Sequence, residues 1–253
     1  MTKEINNNHI EEEEVLFEKM LQARDRGDRN AVEWEKSKED FWGVVKNDLK
    51  NKKATILNIG CGYDASFVEL ENLGSVVINM DIIESSLRYL QDKHNAKNCV
   101  LGDINNLQFD KESMDVVTCI DILHHEGKNL KKILESIHVS LKKGGSLYIQ
   151  DINAWGIFQF YKSILLPKFL HKILRKLYHK IKRTEHAPAD YEFPTSPLVM
   201  KKKLVEAGFQ NIKFYKNSAY PESCKIKRAI YNFCKIDYME KFHNYHYIVK
   251  AEK

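Results

Sequence analysis

Thr55-Ile56-Leu57-Asn58-Ile59-Gly60-Cys61-Gly62 decides how this chain is read. A short run dominated by β-branched and aliphatic side chains, ending on glycines, is a buried strand entering a tight turn. The same unit recurs downstream. A helix is predicted over 66–73, then strand Val76-Val77-Ile78-Asn79-Met80 closing on Asp81, a helix over 84–94 and a short strand Cys99-Val100-Leu101 before Gly102-Asp103. A fourth strand, over 115–120, leads to Asp121 and to His124-His125. A helix over 130–141 follows, with Gly144-Gly145 expected as its left-handed C-cap, and then strand Ser146-Leu147-Tyr148-Ile149-Gln150. Short apolar strands alternating with helices predict a parallel sheet covered on both faces, with right-handed crossovers.

Upstream, the acidic run Glu11-Glu12-Glu13-Glu14 belongs to a polar helix, and a second helix over 31–49 puts Trp34, Phe41, Val45 and Leu49 near one face. Downstream, Ser196-Pro197 has the form of a helix start, Ala207-Gly208-Phe209 ends that helix, and strands near 212–215 and 245–249 follow.

A chain of 253 residues is ample for one large domain, and 43% hydrophobic with 30% charged residues excludes disordered and fibrous classes. No apolar run approaches the ~20 residues of a membrane span, and the opening residues do not read as a signal peptide. Cys61, Cys99, Cys119, Cys224 and Cys234 are scattered, odd in number and without a CxxC pair. That spacing excludes a disulfide scaffold or zinc ribbon and makes a reducing cytoplasm the expected location. No HExxH or other metal-ligand spacing occurs, so no metal is expected.

The glycine turn poses a choice of cofactor. Gly60-Cys61-Gly62-Tyr63-Asp64-Ala65 satisfies G-x-G-x-x-A, and with Asp81 beyond it also fits a dinucleotide fingerprint. Three further features point elsewhere. Asp103 is a second acid, placed after the third strand where it can accept from an adenine amine. Asp64, Asp81, Asp103 and Asp121 surround the turn with no Lys or Arg near it in sequence, which suits a cationic ligand better than a pyrophosphate. The two strands after the fifth follow an irregular connection, as a closing antiparallel hairpin would.

With those residues in place, the chain resembles the class I S-adenosylmethionine-dependent methyltransferases, in particular the small-molecule, type-11-like group, over about 55–152. The resemblance rests on Leu57-Asn58-Ile59-Gly60-Cys61-Gly62, Met80-Asp81, Gly102-Asp103, Asp115-Val116-Val117, Ile122-Leu123-His124-His125 and Leu141-Lys142-Lys143-Gly144-Gly145, in that order. It implies an α/β fold: a Rossmann-like seven-stranded sheet, mostly parallel with an antiparallel closing hairpin, with helices on both faces and a helical cap insertion. It also implies that Gly60, Cys61 and Gly62 approach S-adenosylmethionine through the backbone. Asp81 would hold the ribose hydroxyls, Ile82 would pack on adenine, Asp103 and the Ile104 backbone would read the adenine edge, and Asp121 would lie near the methionine part. The family usually has an acid where this chain has Asn58, and often a glycine where it has Asp64. Asn58 offers the methionine ammonium an uncharged acceptor, and Asp64 is the nearby source of the missing charge.

Methyl transfer needs a general base only when the acceptor is protonated at neutral pH. His124 and His125, just past the fourth strand, are the candidate bases, with packing as the alternative role. Asp151, Asn153, Trp155 and Tyr191 are the candidate substrate contacts; helix capping is the other reading of Asp151 and Asn153. The absence of Asn-Pro-Pro-Tyr and Pro-Cys motifs argues against methylation of exocyclic base nitrogens and against a cysteine-dependent pyrimidine carbon methylase, and Asp151-Ile152-Asn153 is wrongly spaced for a magnesium-assisted catechol site.

The net charge of +5 is concentrated. Eight Lys and Arg residues lie between Trp155 and Thr184 with no acid among them, which leaves the remainder with an acidic excess. Beyond Pro167, Phe169, Leu170, Ile173, Leu174, Leu177, Tyr178 and Ile181 share one helical face and the basic residues the other. The expected organisation is an N-terminal helical segment over 1–53 covering the cofactor and a methyltransferase domain over 54–253. That domain carries a cap insertion at 154–195 and a second insertion at 222–242. The basic helix is read first as a substrate lid. Its alternatives are peripheral membrane contact through 157–183 and, less favoured, nucleic-acid contact. A small-molecule methyltransferase is thus the leading reading. An RNA methyltransferase using 162–183, a nicotinamide-dependent dehydrogenase and a non-catalytic binder remain as alternatives.

Overall fold

The computed structural model describes residues 38–50, 52–156, 193–217 and 245–253, together with isolated positions between 14 and 26. The basic helix of 168–183, the insertion at 222–242, Trp34 and Tyr191 lie outside the described residues.

The strand–turn–helix units form as the pattern requires: β1 (Thr55–Ile59), α2 (Phe67–Asn72), β2 (Val76–Asp81), α3 (Glu84–His94), β3 (Asn98–Leu101) and β4 (Met114–Ile120) follow α1 (Glu39–Asp48). Then come α4 (Leu130–Ser140), β5 (Leu141–Ile152), α5 (Pro197–Glu206), β6 (Gln210–Tyr215) and β7 (His246–Glu252). The strands make one seven-stranded sheet in the order β3-β2-β1-β4-β5-β7-β6. All pairings from β3 to β5 are parallel, whereas β7 is antiparallel to both β5 and β6. The reversal of strand order between β1 and β4 opens a crevice at the carboxyl edge, where α/β folds bind ligands.

Period-two alternation sends each strand's side chains to two separate cores. Leu57, Ile59, Val117, Cys119, Leu147 and Ile149 face α4 and α5, meeting Ile133, Leu134, Met200 and Leu204. Ile56, Val77, Val116 and Tyr148 face the other way, onto Phe41, Trp42 and Val45 of α1, Phe67 and Leu70 of α2, and Leu90 of α3. At about 1.5–3 kcal/mol for each fully buried aliphatic or aromatic side chain, these two layers supply the main folding drive. α1 is an integral part of the second core: Trp42, absent from the expected apolar face, is almost wholly buried beside Phe41.

The glycine pair 144–145 does not cap a helix. α4 ends at Ser140, and Leu141 is already extended and paired with Met114. Gly144, at φ +77°, and Gly145 instead shape a bend inside β5. A Cβ on Gly145 would stand 2.9 Å from the Lys142 carbonyl oxygen and 3.0 Å from that of Asp115. Close backbone approach, rather than helix termination, is the reason for glycine there.

Candidate active site

The glycine turn is built around two constraints. Gly60 adopts φ +65°, and a Cβ there would lie 2.6 Å from Ile122 Cδ1. Its N–H donates to the Met80 carbonyl at 2.8 Å, fastening the turn to the end of β2. Gly62 also has positive φ, but among the described residues a Cβ there would meet nothing within 4 Å. One glycine is thus enclosed by protein, while the other borders open space that a ligand can enter.

Asp81 closes the turn from β2. Its carboxylate accepts from Gly62 N at 2.8 Å and from Ile83 N at 3.0 Å. Burial pushes this carboxyl above the usual carboxylate range, against the pull of those backbone donors. Ile82 is half-buried beside it, and Cys61 lies underneath with its Sγ 3.8 Å from Asp81. Burial, then the Asp81 charge, drives the Cys61 thiol well above its ordinary value, so it stays protonated and is no nucleophile. Past β3, Asp103 caps the short turn Ile104–Asn106, accepting from Asn105 N at 2.8 Å, while the Ile104 side chain enters the core.

Asn58 is hydrogen-bonded within the sheet. It lies in register with Asn79 and Thr118, donates to Asn79 Oδ1 at 3.0 Å and accepts from Thr118 Oγ1 at 2.9 Å. The three form a buried polar row across β2, β1 and β4, with the Asn58 amide engaged inside the sheet. Asp64 is likewise committed. It accepts from Trp42 Nε1 at 2.8 Å and from Ser66 N and Oγ at 3.0 and 2.6 Å, and pairs with Lys38 Nζ at 3.5 Å. Burial raises this carboxyl, but Lys38 and the hydrogen bonds outweigh it and hold it below the usual range. The turn therefore does have a cation beside it. Lys38 arrives from outside the strand–turn–helix unit, where local sequence gave no sign of it.

A second set of polar groups gathers where β4, β5 and β7 meet. His124, on the turn Leu123–His125, places Nδ1 2.5 Å from Asp151 Oδ1. Both side chains are buried, and Asp151 Oδ1 also accepts from Ile152 N at 3.0 Å. Among the described residues, Asp151 Oδ2 is buried without a hydrogen-bond donor. Burial pushes Asp151 upward and the nearby Asp121 adds to that, against the lowering effect of His124. The exposed His125 stacks on His124, with ring centroids 4.1 Å apart. Asp121, at φ +53°, pairs with His246 Nε2 at 3.3 Å. Tyr247 bonds Thr195 Oγ1 at 2.7 Å; burial and the two aspartates keep its phenol protonated. The Asn153 side chain accepts from Trp155 N at 2.9 Å. His246 and Tyr247 escape sequence reasoning because only the insertion of β7 beside β5 carries them here.

Residues 57–149 match the family described as a methyltransferase domain. The chain is 28% identical, over 147 residues, to a ubiquinone biosynthesis O-methyltransferase of Glaesserella parasuis, covering 54% of this chain and 60% of that protein. The chain spans 48% to 60% of the length of curated relatives it matches. Its fold is that of a SAM-dependent methyltransferase from Thermotoga maritima, with TM-score 0.61 at 15% identity and coverage of 92% and 97% of the two chains. The 1,6-didemethyltoxoflavin-N1-methyltransferase of Burkholderia thailandensis, solved with its substrate and S-adenosylhomocysteine, aligns with TM-score 0.59 at 14% identity, covering 96% and 89%.

The residues present fit such a cofactor. Among the described residues, the sheet edge offers open space over Gly62, a carboxylate after β2 and another after β3. No group of three His, Cys, Asp or Glu able to hold a metal occurs among the described residues, and no described helix is long and apolar enough to cross a membrane.

Proposed function

We propose that this protein transfers a methyl group from S-adenosylmethionine to an oxygen or nitrogen of a small molecule. The observation that carries this reading is one shared sheet edge. There the glycine turn with Asp81 stands at the end of β1 and β2, and the buried His124–Asp151 pair at the end of β4 and β5. In this reading Asp81 accepts the ribose hydroxyls, Asp103 accepts from the adenine amine, and Asp121 faces the methionine ammonium. Asn58 and Asp64, whose polar atoms are engaged elsewhere, take no direct part.

When bound, the cofactor supplies a methyl on a sulfonium, already activated for in-line displacement. The domain's task is alignment, exclusion of water and control of the acceptor's proton. Asp151 accepts the His124 Nδ1 proton and thereby presents Nε2 as the basic nitrogen. His124 Nε2 would take the proton of an acceptor hydroxyl during its attack, or free the lone pair of an acceptor ammonium before it; the cofactor, when bound, would supply the methyl through cleavage of its S–CH3 bond and leave as S-adenosylhomocysteine. The O-methyltransferase relative and the N-methyltransferase neighbour support both acceptor types equally. A base held this firmly supports an acceptor that carries a proton at neutral pH.

Calorimetric titration with S-adenosylhomocysteine, against NAD in parallel, tests the proposal. Saturable binding of the former and none of the latter is expected. Binding of NAD alone would replace the methyltransferase reading with that of a dehydrogenase.

A further inference from the structure

Among the described residues nothing stands within 4 Å of where a Gly62 Cβ would be, so the glycine turn has little packing on that side. Its shape depends on hydrogen bonds, and these converge on two carboxylates. Asp81 holds Gly62 N from β2. Asp64 holds the exit of the turn through Ser66 N and Oγ, and turns its other oxygen to Trp42 Nε1 and Lys38 Nζ. Neither Trp42 nor Lys38 belongs to the cofactor-binding unit.

Both sit at the start of a helix that is fastened elsewhere. Trp42 is almost wholly buried in the core of α1, and Asp48 at the far end of that helix accepts from Tyr148 Oη at 2.8 Å and pairs with Lys250 at 2.9 Å. α1 is therefore a strut footed on β5 and β7, with its other end bonded to the glycine turn. Lys38 Nζ also stands 5.7 Å over the Tyr63 ring, and Tyr63 packs with Ile83, Ile82 and, from further upstream, Leu21. The upstream chain thus reaches the residues that follow Asp81.

We infer that Asp64 is a positioning residue for the nucleoside cofactor, bracing the glycine turn against α1 so that affinity depends on Trp42 and Lys38. This deepens the methyltransferase reading and rests on it. It also assigns a purpose to an acid at a position where family members often carry glycine: the charge is spent on Lys38 and α1, not on the ligand.

The test uses the full chain and two readouts. Trp42→Phe keeps an aromatic ring in the core and removes one donor to Asp64, and Asp64→Asn sets an amide against the Trp42 N–H. In the free protein, both should speed amide exchange at 62–66 severalfold while leaving the β1 amides unchanged. S-adenosylhomocysteine affinity should fall about tenfold in each, the loss expected of one hydrogen bond to a charged group. The double variant should lose little more than either single one, because both break the same link. Exchange and affinity at wild-type levels in both variants overturn the inference, as does a uniform rise in exchange across β1 and the turn, which would mark general destabilisation. If wild-type protein binds no S-adenosylhomocysteine, the cofactor reading fails, and the exchange result alone then reports whether the strut exists.

Discussion

Replacing Asp81 by Asn tests the cofactor assignment at its most exposed point. The carboxylate serves two masters: it accepts from Gly62 N and Ile83 N within the protein, and in our proposal it accepts from the ribose hydroxyls. Asparagine has one acceptor oxygen, so one of the two backbone donors is left facing an amide N–H. Leaving a buried donor unpaired costs about 1–3 kcal/mol of stability. Hydrogen bonds to a charged acceptor contribute roughly 1.5–3 kcal/mol each, so losing one ribose contact weakens binding by about 1.5–3 kcal/mol, or on the order of 10–10²-fold. Calorimetry with S-adenosylhomocysteine, paired with urea unfolding, separates the two effects. A lowered urea midpoint with affinity within about threefold of wild type would refute the ribose role and leave Asp81 as a cap on the turn. Acidification adds a second signature. Burial raises the Asp81 carboxyl, so affinity should fall with decreasing pH at values above those at which exposed aspartates protonate. Stability moves the other way: the folded state holds this proton more tightly than the unfolded chain. The Asp81 contribution therefore decreases as pH rises from about 3.9, the unfolded value, to the raised folded one, and Asp81→Asn should abolish that dependence.

Once an acceptor is in hand, His124→Ala should lower kcat by about 10²–10⁴-fold, as loss of a general base does. Asp151→Asn should lower it by roughly 10²-fold, and the double variant should be no slower than His124→Ala, because the pair acts as a unit; wild-type turnover in either single variant would exclude the base. Gly60→Ala drives a Cβ to 2.6 Å from Ile122 at φ +65°, and should cost about 1–3 kcal/mol in urea unfolding and weaken cofactor binding with it. Gly145→Ala meets two backbone oxygens in the bend of β5 and should cost a similar ~1–3 kcal/mol, but leave S-adenosylhomocysteine affinity unchanged.

What could be read from the sequence was whatever is local. The strand at 55–59, the Gly60–Gly62 turn, and the acids Asp81 and Asp103 at the strand ends carry their own periodicity and punctuation, and each falls where expected. The Ser196 cap is equally local and accepts from Val199 N at 3.3 Å. Gly144-Gly145 misled because a glycine pair after a helix has the same appearance whether it ends the helix or bends the next strand; the clash with Lys142 and Asp115 oxygens becomes visible only once β4 and β5 are paired. Asn58, substituted for an acid, looked like a weakened ligand. Register shows how an amide is used there: it donates to Asn79 and accepts from Thr118. Lys38 and His246 were invisible for a shared reason. Each reaches the edge from a distant segment, and no spacing rule relates either one to the aspartate it meets.

The position of β7 has a consequence for how the molecule comes into being. β5 and β6 are joined in the sheet only through β7, which lies between them and is encoded after both. Asp48 of α1 likewise waits for Tyr148 and Lys250. A nascent chain emerging from the ribosome can complete the parallel part of the sheet from β3 to β4 while β5 and β6 still present unsatisfied strand edges. Such long-range closure is slow and leaves those edges open to wrong pairing in the meantime. Damage to β7 should therefore announce itself first as poor recovery of folded protein, well before any change in its chemistry is measured.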